Sequence, residues 1–102
     1  MREHNVPKTR TKRWDAAAHL DSDDAMAAYL EAALEDGDPG LVTAALGDIA
    51  RAKGMSRIAR RAGLGRESLY KALSPGGNPG IATVLRVVEA LGLKLRAIPA
   101  ER

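Results

Sequence analysis

The sequence predicts an all-α domain of five short helices, and three observations lead to it. Apolar residues make up 45% of the 102. They are chiefly Ala (19) and Leu (12), against four Ile, five Val, one Trp, two Tyr and no Phe. That vocabulary suits closely packed short helices and is poor in the β-branched and aromatic residues of sheet-based cores. Apolar positions also recur at helical spacing in separate blocks. Finally, the blocks are punctuated by capping residues and by Gly37, Gly54, Gly63 and Gly92. The length fits one domain with tails better than a two-domain enzyme with a cleft. Zero Cys excludes a disulfide scaffold, a thiolate metal site and a Cys nucleophile. No apolar run approaches the roughly 18 residues of a membrane span, and no signal-peptide pattern follows Met1, so a cytoplasmic protein is expected.

Met1–Arg13 offers almost nothing to bury and is expected to be a flexible basic tail. Residues 14–98 then form the domain, and residues 99–102 a short C-terminal tail. Trp14 to Leu20 reads as a short helical turn capped by Asp15. Asp21 and Ser22 are good N-caps for the first full helix, whose start Asp23 and Asp24 favour electrostatically. Met26, Tyr29, Leu30, Ala33 and Leu34 make its apolar stripe, and Gly37 ends it. Asp38-Pro39 opens a second helix with Leu41, Val42, Ala45, Leu46 and Ile49 inward, closed by Gly54. Ser56–Ala62 and Arg66–Leu73 are short third and fourth helices. The loop Ser74–Gly80 (SPGGNPG) cannot be helical. Ile81–Leu91 is a fifth helix with Val84, Leu85, Val88 and Leu91 inward and Gly92 as its stop. Leu93 to Ala97 alternates apolar and polar residues, which predicts a short C-terminal strand.

Charge is strongly segregated beneath a net charge of +3. Residues 1–13 carry net +4, residues 14–50 net −9 without one Lys or Arg, residues 51–71 net +6, and residues 72–102 net +2. Two partners of opposite sign are expected. The basic zone coincides with the most informative stretch, Met55 to Ser74. There Ala59 precedes Gly63 by four positions, the requirement of two helices crossing steeply on a tight turn. Ile58, Ala62, Leu64, Leu69 and Ala72 then face a shared core. Arg66, Glu67, Ser68, Tyr70 and Lys71 remain outward on the second of these helices, as hydrogen-bonding groups suited to base edges. Ser56, Arg57 and Arg60 stand on the preceding helix as phosphate contacts. The stretch 55–74 thus reads as a helix–turn–helix that binds DNA.

Residues 21–98 resemble the HigA-like addiction-module antidote proteins, antitoxins with a Cro/C1-type (XRE) helix–turn–helix of the lambda-repressor-like fold. The matching phrases are AYLEAALEDGDP (Ala28–Pro39), ALGDIARAKGM (Ala45–Met55), RAGLGRESLYKALSPGGNP (Arg61–Pro79) and TVLRVVEALGLKL (Thr83–Leu95). Gly65 departs from the family's usual Ser at the cap of the recognition helix. Gly caps within about a few tenths of a kcal/mol of Ser, but it forgoes a phosphate contact. The resemblance implies two partners. One is the operator DNA of the protein's own promoter, which it represses. The other is a RelE/HigB-type toxin, an mRNA-cleaving ribonuclease held inactive by direct binding. Such toxins are basic, so the acidic zone is their natural complement. Trp14, Asp15, Leu20, Asp21, Asp23, Asp24, Glu31 and Glu35 are the candidate toxin contacts, with Trp14 either packing on the bundle or anchoring the partner.

One helix–turn–helix reads only about four or five base pairs, so a homodimer is expected, with recognition helices about 34 Å apart. Val87, Leu93, Leu95 and Ala97 are its candidate interface, through strand pairing and an exposed face of the fifth helix. The rival use of that strand is addition to the toxin's sheet. No cofactor or metal is expected, since His4 and His19 are the only imidazoles and show no ligand spacing. No nucleophile elbow or P-loop occurs, so the chain is not expected to be an enzyme. The alternatives are a free-standing phage-type repressor without a toxin and a protein–protein adaptor that has lost DNA binding.

Overall fold

In the computed structural model, which describes residues 20–101, the chain enters its first helix at Ser22. The Ser22 hydroxyl accepts the Ala25 N–H at 3.1 Å, and α1 (Asp23–Asp36) follows with two carboxylates in its first turn. Those charges favour the positive end of the helix dipole. Gly37, at φ 86°, ends α1 by returning its N–H to the Ala33 carbonyl at 3.2 Å. The next residue, Asp38, is extended and caps a second helix. Asp38 accepts the Gly40 N–H at 3.0 Å, Pro39 takes the first helical position, and α2 (Pro39–Lys53) runs to Gly54. Three shorter helices complete the fold: α3 (Met55–Ala62), α4 (Arg66–Ala72) and α5 (Ile81–Ala90).

Helix α1 packs on α2, α2 on α3, and α3 on both α4 and α5. The core therefore centres on α3. Leu46 and Ile49 from α2, Ile58 from α3, Leu69 from α4, and Val87 and Leu91 at α5 are its fully buried large side chains. Leu73, just past α4, is 3% exposed and lies against Gly47 of α2. A Cβ at position 47 would stand 2.9 Å from the Leu73 carbonyl oxygen, so α2 can lie this close to the end of α4 only because residue 47 has no side chain.

Polar groups lock the same joints. Asp48, buried in α2, accepts the Tyr29 hydroxyl at 2.6 Å and Arg51 Nη2 at 2.7 Å. Lys53 Nζ lies 3.3 Å from Asp23 Oδ1 and donates to the Leu91 carbonyl at 3.1 Å. One ammonium thereby ties the start of α1 and the end of α5 to the end of α2. A cation at those last carbonyls is where the helix dipole favours it.

The five helices match the sequence expectation, and other expectations need correction. No strand is found among the described residues; residues 93–101 run without regular structure. Alternation alone cannot make a strand where no second strand supplies hydrogen-bond partners. Val87, expected on an exposed face, is fully buried, whereas Leu85, expected inward, is 50% exposed. The stripe of α5 is therefore Val84, Val87, Val88 and Leu91, rotated from the predicted face. Leu20 is in the core and cannot anchor a partner. Leu34 and Leu41, expected inside, are 44% and 42% exposed. The tail 1–13, the helical turn from Trp14, and Trp14 and Asp15 themselves lie outside the described residues.

Candidate functional site

The third and fourth helices are joined by three residues, Gly63 to Gly65. Gly63 adopts φ 73°, which a side chain would strain, and donates to the Arg60 carbonyl at 3.2 Å. Leu64 N–H reaches the Ala59 carbonyl at 2.8 Å, and Ala59 itself is 2% exposed between the helices. The backbone of the turn thus fixes the angle at which α4 leaves α3. Leu69 is the buried residue of α4. Arg66, Glu67, Ser68, Tyr70 and Lys71 are all exposed, as are Ser56, Arg57 and Arg60 on α3.

The seven cations of the basic zone divide into two groups. Arg51 and Lys53 are engaged as described, and Arg61 Nη1 donates to the Ala90 carbonyl at 3.4 Å. Lys53 and Arg61 thereby tie separate helices together, while Arg51 pairs with Asp48 within α2. Arg57, Arg60, Arg66 and Lys71 make no hydrogen bond or ion pair among the described residues. These four share one pair of adjacent helices with the half-exposed ring of Tyr70. No side chain caps the first turn of α3 or α4, so their leading N–H groups remain for water or an anion.

The acidic candidates lie on or just before α1. Asp21, Asp24, Glu31 and Glu35 are exposed without a partner among the described residues, while Asp23 is paired with Lys53. The C-terminal segment passes beside this helix. Between them lies a cleft of about 520 Å³, walled by Leu30, Glu31, Leu34 and Glu35 on one side and by Leu93–Arg96 and Ile98 on the other. Leu93 is half-buried on the core, whereas Leu95 and Ala97 are exposed. The structure thus joins residues that sequence reasoning assigned to separate surfaces, one for a toxin and one for a dimer. That reasoning missed this cleft, and it also missed Asp48 and the bridging role of Lys53. An isolated acidic residue inside an apolar stripe, three positions before an Arg, was the available signal for Asp48.

Among the described residues no cluster of three His, Asp or Glu side chains could hold a metal, and no helix is long and apolar enough to cross a membrane. Residues 10–99 match the family described as "Probable addiction module antidote protein". The chain is also 51% identical over 85 residues to an uncharacterized protein of Haemophilus influenzae, a match covering 83% of this chain and 88% of that one. No solved structure matches.

Proposed function

The chain belongs to the family of probable addiction module antidote proteins, and from that premise we propose that it neutralises a RelE/HigB-type mRNA-cleaving toxin and represses its own operon through a helix–turn–helix. An antidote family implies a toxin partner of some kind. The observation that carries the DNA-binding half is the set of four uncommitted cations, Arg57, Arg60, Arg66 and Lys71, on two helices joined at Gly63. In this reading α3 and α4 are the two helices of a Cro/C1-type motif, and α4 enters the major groove. Arg66, Glu67, Ser68, Tyr70 and Lys71 face base edges there, and Ser56, Arg57 and Arg60 hold phosphates near the uncapped start of α3.

Two copies related by a two-fold axis are needed to read a palindromic operator. Ile81 and Leu85, 71% and 50% exposed and one turn apart on α5, are the apolar pair best suited to join them. The protein works in the cytoplasm, where both partners are made, and acts by binding rather than by catalysis. The test has two arms. Co-expression with the product of the frame adjoining its gene should rescue growth that this product alone arrests. The purified protein should also shift its own promoter fragment and not a scrambled one. Promoter binding without rescue would leave a free-standing repressor, and rescue without promoter binding would remove the helix–turn–helix role.

A further inference from the structure

We infer that the cleft between α1 and residues 93–98 is the seat of the toxin, and that its occupant is an extended, basic, apolar-studded segment of that protein. This inference rests on the antidote reading above. Three large apolar side chains open onto the cleft, with Leu34 44%, Leu95 40% and Ile98 76% exposed. Single exposed apolar residues are ordinary, but a contiguous strip in a concave site marks a surface that is covered in the functional complex.

Charge selects the occupant. The α1 wall carries Glu31 and Glu35, both without a partner among the described residues, in a stretch that has no Lys or Arg from residue 14 to residue 50. A cation-bearing segment is the complement of that wall. Lys94 and Arg96 on the opposite wall set its direction, because an occupant fits only with its basic edge turned to α1. A second copy of this chain is the rival occupant, and sedimentation separates the two.

The backbone selects the shape. Residues 94–101 make no backbone hydrogen bond among the described residues. Residues 94–96 and 98 border the cleft, and backbone groups without internal partners are what an extended segment adds to by strand pairing. The alternation of Leu93, Lys94, Leu95 and Arg96, which forms no strand in the chain alone, acquires its partner in the complex.

The test uses the full-length antitoxin and the purified product of the adjoining frame. The double variant Leu34→Asp/Leu95→Asp should weaken toxin binding in calorimetry by about a hundredfold or more. Promoter binding and melting temperature should stay near those of the parent, because both side chains are already exposed. A second variant, Glu31→Lys/Glu35→Lys, should slow toxin association by about tenfold at low salt, with the difference shrinking as salt rises. It decides the matter should the first variant fold poorly. Parental toxin affinity in a folded variant overturns the inference, as does loss of self-association in sedimentation with toxin binding intact. Failure of the parent protein itself to bind the toxin is a different outcome, and rejects the antidote reading.

Discussion

The Tyr29 hydroxyl on α1 donates to Asp48 Oδ2 on α2 at 2.6 Å, inside the contact between the two helices. Arg51 reaches the other oxygen of the same carboxylate, Oδ1, at 2.7 Å from one turn farther along α2. A buried carboxylate costs folding energy unless its oxygens are satisfied, so the phenol is a structural partner rather than ornament. Tyr29→Phe keeps the ring and removes that donor. It should lower unfolding free energy by about 1.5–3 kcal/mol, the range for a hydrogen bond to a charged group, as measured by urea titration. Promoter binding by the folded fraction should be unchanged, because the substitution keeps the ring in place and alters no residue of α3 or α4.

Gly47→Ala sets helix propensity against packing. Alanine inside a helix is favoured over glycine by about 1 kcal/mol. Its Cβ, however, would stand 2.9 Å from the Leu73 carbonyl oxygen, and α2 or the end of α4 must shift. Overpacking of this kind costs about 1–3 kcal/mol. The expected net result is a lower melting temperature. Promoter affinity should fall too, because Leu73 fixes the end of α4. A raised melting temperature would mean that the loop after α4 yields freely.

Neighbouring positions on α5 should behave in opposite ways. Val87→Ala empties part of a fully buried site, and should destabilise by about 2 kcal/mol from lost transfer energy and the residual cavity. Leu85→Ala, at a half-exposed position, should change stability by less than about 0.5 kcal/mol. If α5 joins the two copies, Leu85→Ala should instead raise the dimer dissociation constant in sedimentation. Equal effects of both changes on stability would contradict the packing of α5.

Two substitutions on the proposed DNA face should separate reading from gripping. Lys71→Ala should cost about 1–3 kcal/mol on the native operator and relax the preference at one base pair. Arg57→Ala should weaken all sequences alike and reduce the slope of log affinity against log salt by about one unit. Both are measured by promoter titration at several salt concentrations. Unchanged affinity in both variants would reject the docking of α3 and α4.

Helix existence was legible from local signals, because each cap is a local event. Ser22, Asp38-Pro39, Gly37 and Gly63 act as the sequence suggests, each through a bond within a few residues. Which side of a helix faces inward was less legible. On α5 the apolar residues Ile81, Val84, Leu85, Val87, Val88 and Leu91 spread over nearly half the helix with Val87 and Leu85 at opposite edges, so spacing alone could not choose between those two. Contact with α3 makes that choice. The C-terminal alternation was visible, but whether it becomes a strand depends on hydrogen-bond partners outside the chain. The basic candidates emerged together on α3 and α4 because they are close in sequence. The cleft joins residues some 60 positions apart, and no local pattern announces it.

Helix α4 contributes one buried side chain of its own, Leu69, and is aimed by the backbone of the turn before it. Its outer residues therefore carry almost no responsibility for the fold. On the proposed reading, Arg66, Glu67, Ser68, Tyr70 and Lys71 can be exchanged in a lineage, and with them the promoter that is read, while Ala59, Gly63 and Leu69 stay put. Duplicated copies of such a gene could drift to separate operators within one genome without passing through an unfolded intermediate. Cross-talk between them would end by surface substitution alone.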